Sequence, residues 1–523
     1  MKTLFFALLF WIPLLGFAQN NLEVSNAAIF EGEPYLTHNP LNPQHLVAAW
    51  MGYQWNQKIV IKSSVSFNGG TSWTQPVSQS HLVPSYSSAD VSLGFDHLGN
   101  IFMCYIDYDN VTFASGKVLL RKSTDGGLTW GNPTEVISIS DCPGKLCIDR
   151  PWMVIDHLGA NPTDAIYVCT MNADQPALVS APYNPYLSVS TDGGMTFNNP
   201  RLMDTLQFLA GTTIPQPSAT PAIGGDGTYW AIYPSYDVSQ SPFPRHILAQ
   251  TQDAGINLQH SIAYQGTLMG VSNGLFKRGG KLAADPAHSG HLAYLFLSQQ
   301  NDQSDVYYIE TFNGGAQWTA MQKINQDPAG IPRVQDLVWA DFNAQGDLLA
   351  CWRDRRNAGA DGYNQPSEIY ASTKNFGAAG FGQDYPITSQ VVAHDTILEG
   401  SGNDFMSAVF IGDTAYAVWG DVRTGTVRIY LNKWNVNTQV GQSHLMSSET
   451  QMFISPNPVN HGFKIPEKLL GYEVKIYNPQ GEVVWETDSA TEQEINLSSF
   501  PRGSYLFLAS KGNVCFKATF IKE

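Results

Sequence analysis

The sequence predicts an all-β protein: a β-propeller of about seven four-stranded blades, or six if one repeat is degenerate, followed by a small C-terminal β-sandwich. Three observations predict it. A short motif of the form S-x-D-x-G-x-x-W recurs about every 60 residues. The same succession of strand-like runs precedes each copy. After about residue 450 the repeat stops and a segment of different character begins.

The repeat is clearest at Ser123-Thr124-Asp125-Gly126-Gly127-Leu128-Thr129-Trp130. Ser66, Asn68, Gly70 and Trp73 hold the same places in an earlier copy, Ser190, Asp192, Gly194 and Phe197 in a later one, and Thr311, Asn313, Gly315 and Trp318 in another. Fainter copies lie at Thr251 to Gly255, at Ser372 to Asn375 and near Asn432 to Trp434. An Asp or Asn at the third position can cap the backbone of a tight turn. The glycines accept positive φ, and the aromatic residue can fold back onto a neighbouring strand. The motif is therefore structural, and several copies in register specify a fold rather than a reaction.

Three strand-like runs precede each motif. One ends just before it (Lys58 to Lys62, Lys117 to Arg121, Asp305 to Ile309). A second lies upstream (Leu46 to Trp50, Ile101 to Tyr105, Ala165 to Thr170, Leu348 to Trp352, Ala415 to Trp419), and a third further upstream (Val91 to Asp96, Trp152 to Asp156, Leu337 to Asp341). With a fourth strand after the motif, each repeat makes one blade. Residues Asn21 to Asn26 are expected to supply an outer strand that closes the ring with the last blade.

These residues resemble the sialidase-like superfamily, whose S-x-D-x-G motif is called the Asp box. The resemblance spans roughly residues 30 to 440. It implies a propeller, a glycan ligand and an exo-glycosidase acting on an acidic sugar. Sialidases also carry an Arg-Ile-Pro motif near the first blade. This chain has no arginine before Arg121, and Ile331-Pro332-Arg333 has a different order and place. No Tyr/Glu pair is assigned; Tyr35 near Glu33 and Tyr363 near Glu368 are the candidates.

The charge balance, 29 Lys and Arg against 45 Asp and Glu, gives −16. That excludes a polyanion partner such as nucleic acid, which needs clustered cations, and binding to an anionic membrane surface. Residues 1–18 read as a signal peptide. Lys2 is followed by the apolar Leu4 to Leu15 and the small-residue site Gly16-Phe17-Ala18. No other segment offers 18 consecutive apolar residues, so no transmembrane segment is expected in the mature chain.

In an exported chain Cys142 and Cys147, bracketing a Pro-Gly turn, are expected to form a local disulfide. Cys104, Cys169 and Cys351 fall at one repeat-equivalent position, as buried thiols would. Cys515 lies in the tail. No cofactor and no metal ligands are assigned. Calcium at Asp107 to Asn110 is conceivable, but the ligand spacing is not diagnostic.

From Phe453 the chain reads Phe-Ile-Ser-Pro-Asn-Pro, then Tyr472 to Gly481, Ile495 to Ser498 and Gly503 to Phe507. Alternating strands and Gly turns fit a small β-sandwich over residues 451–523; a carbohydrate-binding or immunoglobulin-like module would also fit. The segment resembles the C-terminal sorting domain of type IX secretion. That implies a Gram-negative source, passage through the type IX machinery, and release or attachment at the outer-membrane surface. The propeller is then residues 19–450.

Blade topology says which residues can converge. The turns bearing the Asp boxes lie on one face. The second-to-third-strand loops and the blade-entry loops lie on the other, the face expected to hold a ligand. That face collects Glu31, Glu33, Asp90, Asp149, Arg150, Lys277, Arg278, Arg333, Asp336, Asp354, Arg356, Asp404, Asp421 and Arg423. Arg suits bidentate binding of a carboxylate, and neighbouring carboxyl groups suit general acid–base work. The expectation is therefore a carboxylate-bearing sugar held by Arg150, Arg333, Arg356 and Arg423, with Asp149, Asp90 or Asp354 moving the proton. The repeated pattern Trp352/Asp354/Arg356 and Trp419/Asp421/Arg423 can equally be read as salt bridges between blades that set their spacing. A non-catalytic surface binding or adhesion propeller is the alternative to a hydrolase.

Overall fold

A computed structural model describes residues 21–25, 29–55, 58–156, 164–267, 279–299, 304–327, 333–394, 396, 402–438, 449–451, 454–478, 483–491, 494–511 and 514–523. The expected signal peptide, Lys277, Arg278 and the side chain of Cys515 lie outside these residues. No helix among the described residues is long and apolar enough to cross a membrane. The chain divides into two compact units, up to Asn437 and from Thr438 onward.

The first unit is a seven-bladed propeller. Seven four-stranded antiparallel sheets occur among its described residues, six of them with strands in chain order. The innermost strands are Glu31–Asn39, Ser87–Phe95, Asp149–Ile155, Thr220–Ile223, Gly280–Ala284, Gln335–Phe342 and Ser407–Ile411, in blades 1 to 7. Each lies against the next, and the seventh lies against the first. Blade 7 takes its outermost strand from the start of the chain, where Leu22–Glu23 pairs with Leu431 and Tyr430. The ring is thus closed by the expected N-terminal segment.

The Asp-box turns repeat one hydrogen-bond set. In blade 2 Ser123 Oγ donates to Asp125 (2.7 Å), the Gly127 N–H to Ser123 Oγ (2.8 Å), and the Thr129 N–H to Asp125 (2.9 Å). Blades 1, 3, 4 and 5 repeat it around Asn68, Asp192, Asp253 and Asn313. The faint Thr251–Gly255 copy is therefore a full turn. Each box's aromatic residue packs on the preceding blade. Trp130 donates its indole N–H to Ser63 (3.0 Å), and Trp73, Phe197 and Trp318 join the cores their blades share with blades 7, 2 and 4.

Cys104, Cys169 and Cys351 are buried and free, and stand opposite Ser92, Trp152 and Trp339, as Ala49 stands opposite Tyr35. A small residue on the second strand leaves room for the side chain its inner partner presents. Cys142 and Cys147 are bonded.

The second unit holds a five-stranded sheet and the pair Gly462–Lys464 with Glu494–Asn496. Phe463 and Ile495 from the pair share one core with Ile476, Phe507 and Phe520 from the larger sheet. Glu449–Gln451 pairs with this larger sheet, so the second unit takes in residues before the expected boundary at 450/451.

Candidate functional site

The face opposite the Asp-box turns owes its main feature to a repeated irregularity. Near its start the inner strand of blades 1, 2, 3 and 6 shifts register against its neighbour, between Gly32 and Tyr35, Ala89 and Ser92, Asp149 and Trp152, and Asp336 and Trp339. Such a bulge re-aims side chains. The first residue of each bulge is left-handed: Glu33 (φ 54°), Asp90 (49°), Arg150 (52°) and Leu337 (53°), with Asn403 (54°) just ahead of the inner strand in blade 7. None is glycine, so each costs on the order of 1–2 kcal/mol, which the surrounding ring must offset.

The bulges of blades 1, 2 and 3 bring charged groups together with Asp404 of blade 7. Arg150 Nη2 pairs with Asp404 at 2.6 Å, both almost fully buried. The Arg150 N–H donates to Asp90 Oδ2 (3.2 Å), the Glu33 N–H to Asn403 Oδ1 (3.4 Å), and Gln216 Nε2 to Asp149 (2.9 Å). Four carboxyl groups (Glu33, Asp90, Asp149, Asp404) thus surround one guanidinium. Glu33 feels the excess most. Burial, and then repulsion from Asp404 and Asp90, pushes its pKa well above the usual range against the pull of Arg150. Burial opposes the charge on Arg150 too, but the four carboxyl groups outweigh it and raise its pKa. Asp149 is half-buried; Glu33, Asp90 and Asp404 are buried.

Arg150 also lines a central cavity with Tyr35, Trp152, Lys281, Trp339 and Phe405. Tyr35 meets Trp339 edge-on (5.4 Å) and Trp152 meets Phe405 likewise (5.0 Å). Arg150 lies 5.3 Å from the Phe405 ring centre. The Tyr35 hydroxyl is pushed far above its ordinary pKa by burial and then by Asp341.

The other expected residues lie apart from this cluster. Arg333 is paired with Asp361 and donates to the Ala358 carbonyl. Arg356 bonds Asp354 (2.7 Å) and Asp384 (2.6 Å) and lies over Tyr370. Arg423 bonds Asp421 (2.6 Å) and Asn21 (2.9 Å) and lies over Tyr430. Asp384 adjoins the outermost strand of blade 6 and Asn21 that of blade 7, so Arg356 and Arg423 point outward. The four arginines therefore do not form one cradle. The two Trp/Asp/Arg sets correct the reading of salt bridges between blades: each is a pairing within its own blade. Trp352 and Trp419 donate to Asp354 and Asp421 at 2.8 Å, and the Arg closes on the same carboxylate. Tyr363 bonds Arg353 (3.3 Å) and Asn357 bonds Glu368 (2.6 Å). Glu33 and Asp404 were visible as residues of this face; their meeting with Arg150 was not.

This fold, with Asp-box turns on one face and a charged cluster on the other, defines a seven-bladed β-propeller. Residues 454–523 match the family model of the secretion system C-terminal sorting domain. The chain is thus a type IX secretion cargo, bound for the cell surface or beyond in a Gram-negative bacterium. A comparison with curated proteins finds no match. Among solved structures, the chain is similar to a protein of unknown function from Dyadobacter fermentans, at 14% identity and a TM-score of 0.45, covering 79% of this chain and 97% of that one. It is also similar to the NanB sialidase of Streptococcus pneumoniae (12%, TM-score 0.42, 80% and 70%) and to an α-L-arabinanase of Penicillium chrysogenum (9%, 0.43, 80% and 98%).

Proposed function

We propose that the propeller is an exported glycan hydrolase whose proton donor is the Glu33–Asp90 pair and whose base is Asp149. One observation carries this reading: a buried carboxyl group whose pKa is raised by burial and by neighbouring carboxyl groups, beside Arg150 at the edge of the central cavity. Glycosidic hydrolysis needs one group that keeps its proton near neutrality and another that takes one from water. Burial and crowding favour the proton on Glu33, while Asp149 is the member that meets solvent.

The same charge count argues for a neutral or cationic sugar. An incoming carboxylate would meet four carboxyl groups and a guanidinium already paired, and Arg333, Arg356 and Arg423 are committed elsewhere. This departs from the acidic sugar that the sequence led us to expect. A second reading, a binding or adhesion propeller, draws on the near-complete burial of Glu33 and Arg150.

The test is release of reducing ends from a panel of neutral oligosaccharides, with a sialoside alongside, by the mature chain and by Glu33→Gln. We expect turnover of a neutral glycan, a loss on the order of 100-fold or more in Glu33→Gln, and none on the sialoside. Absence of turnover across the panel, or an unimpaired Glu33→Gln enzyme, would leave the binding module as the reading.

A further inference from the structure

On the opposite face, the turn between the first and second strands of blade 5 reads Asp285-Pro-Ala-His288-Ser-Gly-His291. His288 Nδ1 lies 2.8 Å and His291 Nδ1 2.7 Å from the same oxygen, Asp285 Oδ2. The three atoms all fall within 4.8 Å of one another. Asp285 and His291 are buried, whereas the His288 side chain is 40% exposed. We propose that Asp285, His288 and His291 bind one zinc-type divalent ion, with water completing the coordination on the exposed side.

The repeats supply an internal control. Blade 1 has Asn39 and His45 in the places of Asp285 and His291, beside the strand pair His38–Leu46 that matches Ala284–Leu292, although there the strands run on to a turn at Pro40 and Leu41. There the amide meets His45 Nδ1 at 3.1 Å, and His45 Nε2 meets the Gly126 carbonyl at 2.9 Å. That is an ordinary turn lock between neutral groups. Blade 5 departs from it three times, each time toward metal ligation. The amide becomes a carboxylate. A second imidazole, His288, arrives on the same oxygen. The far nitrogen of His291 meets a carboxylate, Glu310 (3.3 Å), instead of a carbonyl. A carboxylate behind a ligating histidine fixes the ring and raises its basicity. Lys374 of blade 6 balances Glu310 at 3.1 Å.

Space is kept on the same spot. Gly346 of blade 6 (φ 85°) faces the ligand atoms. A β-carbon there would stand 2.6 Å from Asp285 Oδ2 and 2.9 Å from His288 Nδ1. Phe376, also of blade 6, stacks on His288 at 3.8 Å and fixes its ring. Two imidazoles and one carboxylate suit zinc and its neighbours. Calcium and magnesium prefer all-oxygen shells. An ion here would fasten the blade 5 turn beside blade 6, so binding should stabilise the ring.

The test is calorimetric titration of zinc chloride into the metal-stripped mature chain, with thermal unfolding alongside. We expect one equivalent bound and a midpoint raised by a few degrees and restored to its starting value by chelator. His288→Ala should lose the site, and its exposed position lets the variant fold, which circular dichroism checks. Glu310→Gln should keep the stoichiometry and weaken binding about 10- to 100-fold. His97→Ala, altering a half-exposed histidine in blade 2, should leave binding unchanged. No zinc bound by the unmutated chain, or equal binding by His288→Ala, overturns the proposal, as does loss of binding in His97→Ala.

Discussion

Asp341 shows what a single buried charge costs in this ring. It stands on the inner strand of blade 6 and keeps a little surface, yet protein encloses it. Burial pushes its pKa from 3.8 to about 7, although the Phe410 N–H (2.9 Å) and Lys281 pull the other way. Burial lowers Lys281 to about 8, against the pull of Asp341. A raised acid favours the folded state while it is protonated. Its contribution is complete below about pH 4 and fades as the pH climbs toward 7. Urea unfolding should therefore show the unmutated protein losing stability over that window. Asp341→Asn should lose less, by on the order of 2 kcal/mol once its remaining exposure is allowed for. Equal losses in the two proteins would contradict this account. The lowered lysine acts in the other direction and in a higher window, with its penalty relieved above about pH 8.

At the scale of the element, the Asp-box turn is a unit whose worth can be measured. Asp125 accepts both the N–H and the hydroxyl of Thr129, at 2.9 and 2.6 Å, and these bonds, the largest causes, lower its pKa to about 2. Asp125→Ala should cost about 1 kcal/mol, as loss of a capping side chain does, read as a lower urea midpoint with unchanged slope. An unaltered midpoint would mean that the turn's glycines alone hold its shape. Such turns made the fold legible in the sequence. Their chemistry is local, so eight consecutive letters record it, and Asn for Asp or Thr for Ser still satisfies the same bonds. The site was legible only in part. Asp90, Asp149 and Arg150 could be placed on one face from topology. What assembles them with Glu33 and Asp404 is a left-handed bulge at non-glycine residues, which leaves no pattern in the letters. Ring closure does the rest, bringing positions 33 and 403 into hydrogen-bond contact. The outward turn of Arg356 and Arg423 was hidden for a related reason: their partners, Asp384 and Asn21, come from distant segments. The Asp285, His288, His291 spacing stood in the sequence, but only the comparison with Asn39 and His45 gives it meaning.

For the whole molecule, closure is the property to test. The ring is shut by two strand contacts made over a long separation: Leu22–Glu23 on the edge of blade 7, and the inner strand of blade 7 against that of blade 1. Ser25 Oγ accepts the Ile429 N–H (2.9 Å), and Arg428 bonds Glu23 (2.7 Å). Removing residues 19–25 should lower the thermal midpoint by several degrees and expose the edge of Arg428–Asn435 to exchange first, as hydrogen–deuterium exchange would show. Uniform protection of that strand in the shortened chain would mean that the inner contacts alone close the ring.

That closure also sets a timetable. The segment that seals the circle precedes its partner at residues 428–435 in the chain, and the sorting domain follows still later. A polypeptide interrupted before residue 428 can neither shut its ring nor display its label for export. A chain that carries the sorting domain therefore also carries every strand that closes the ring.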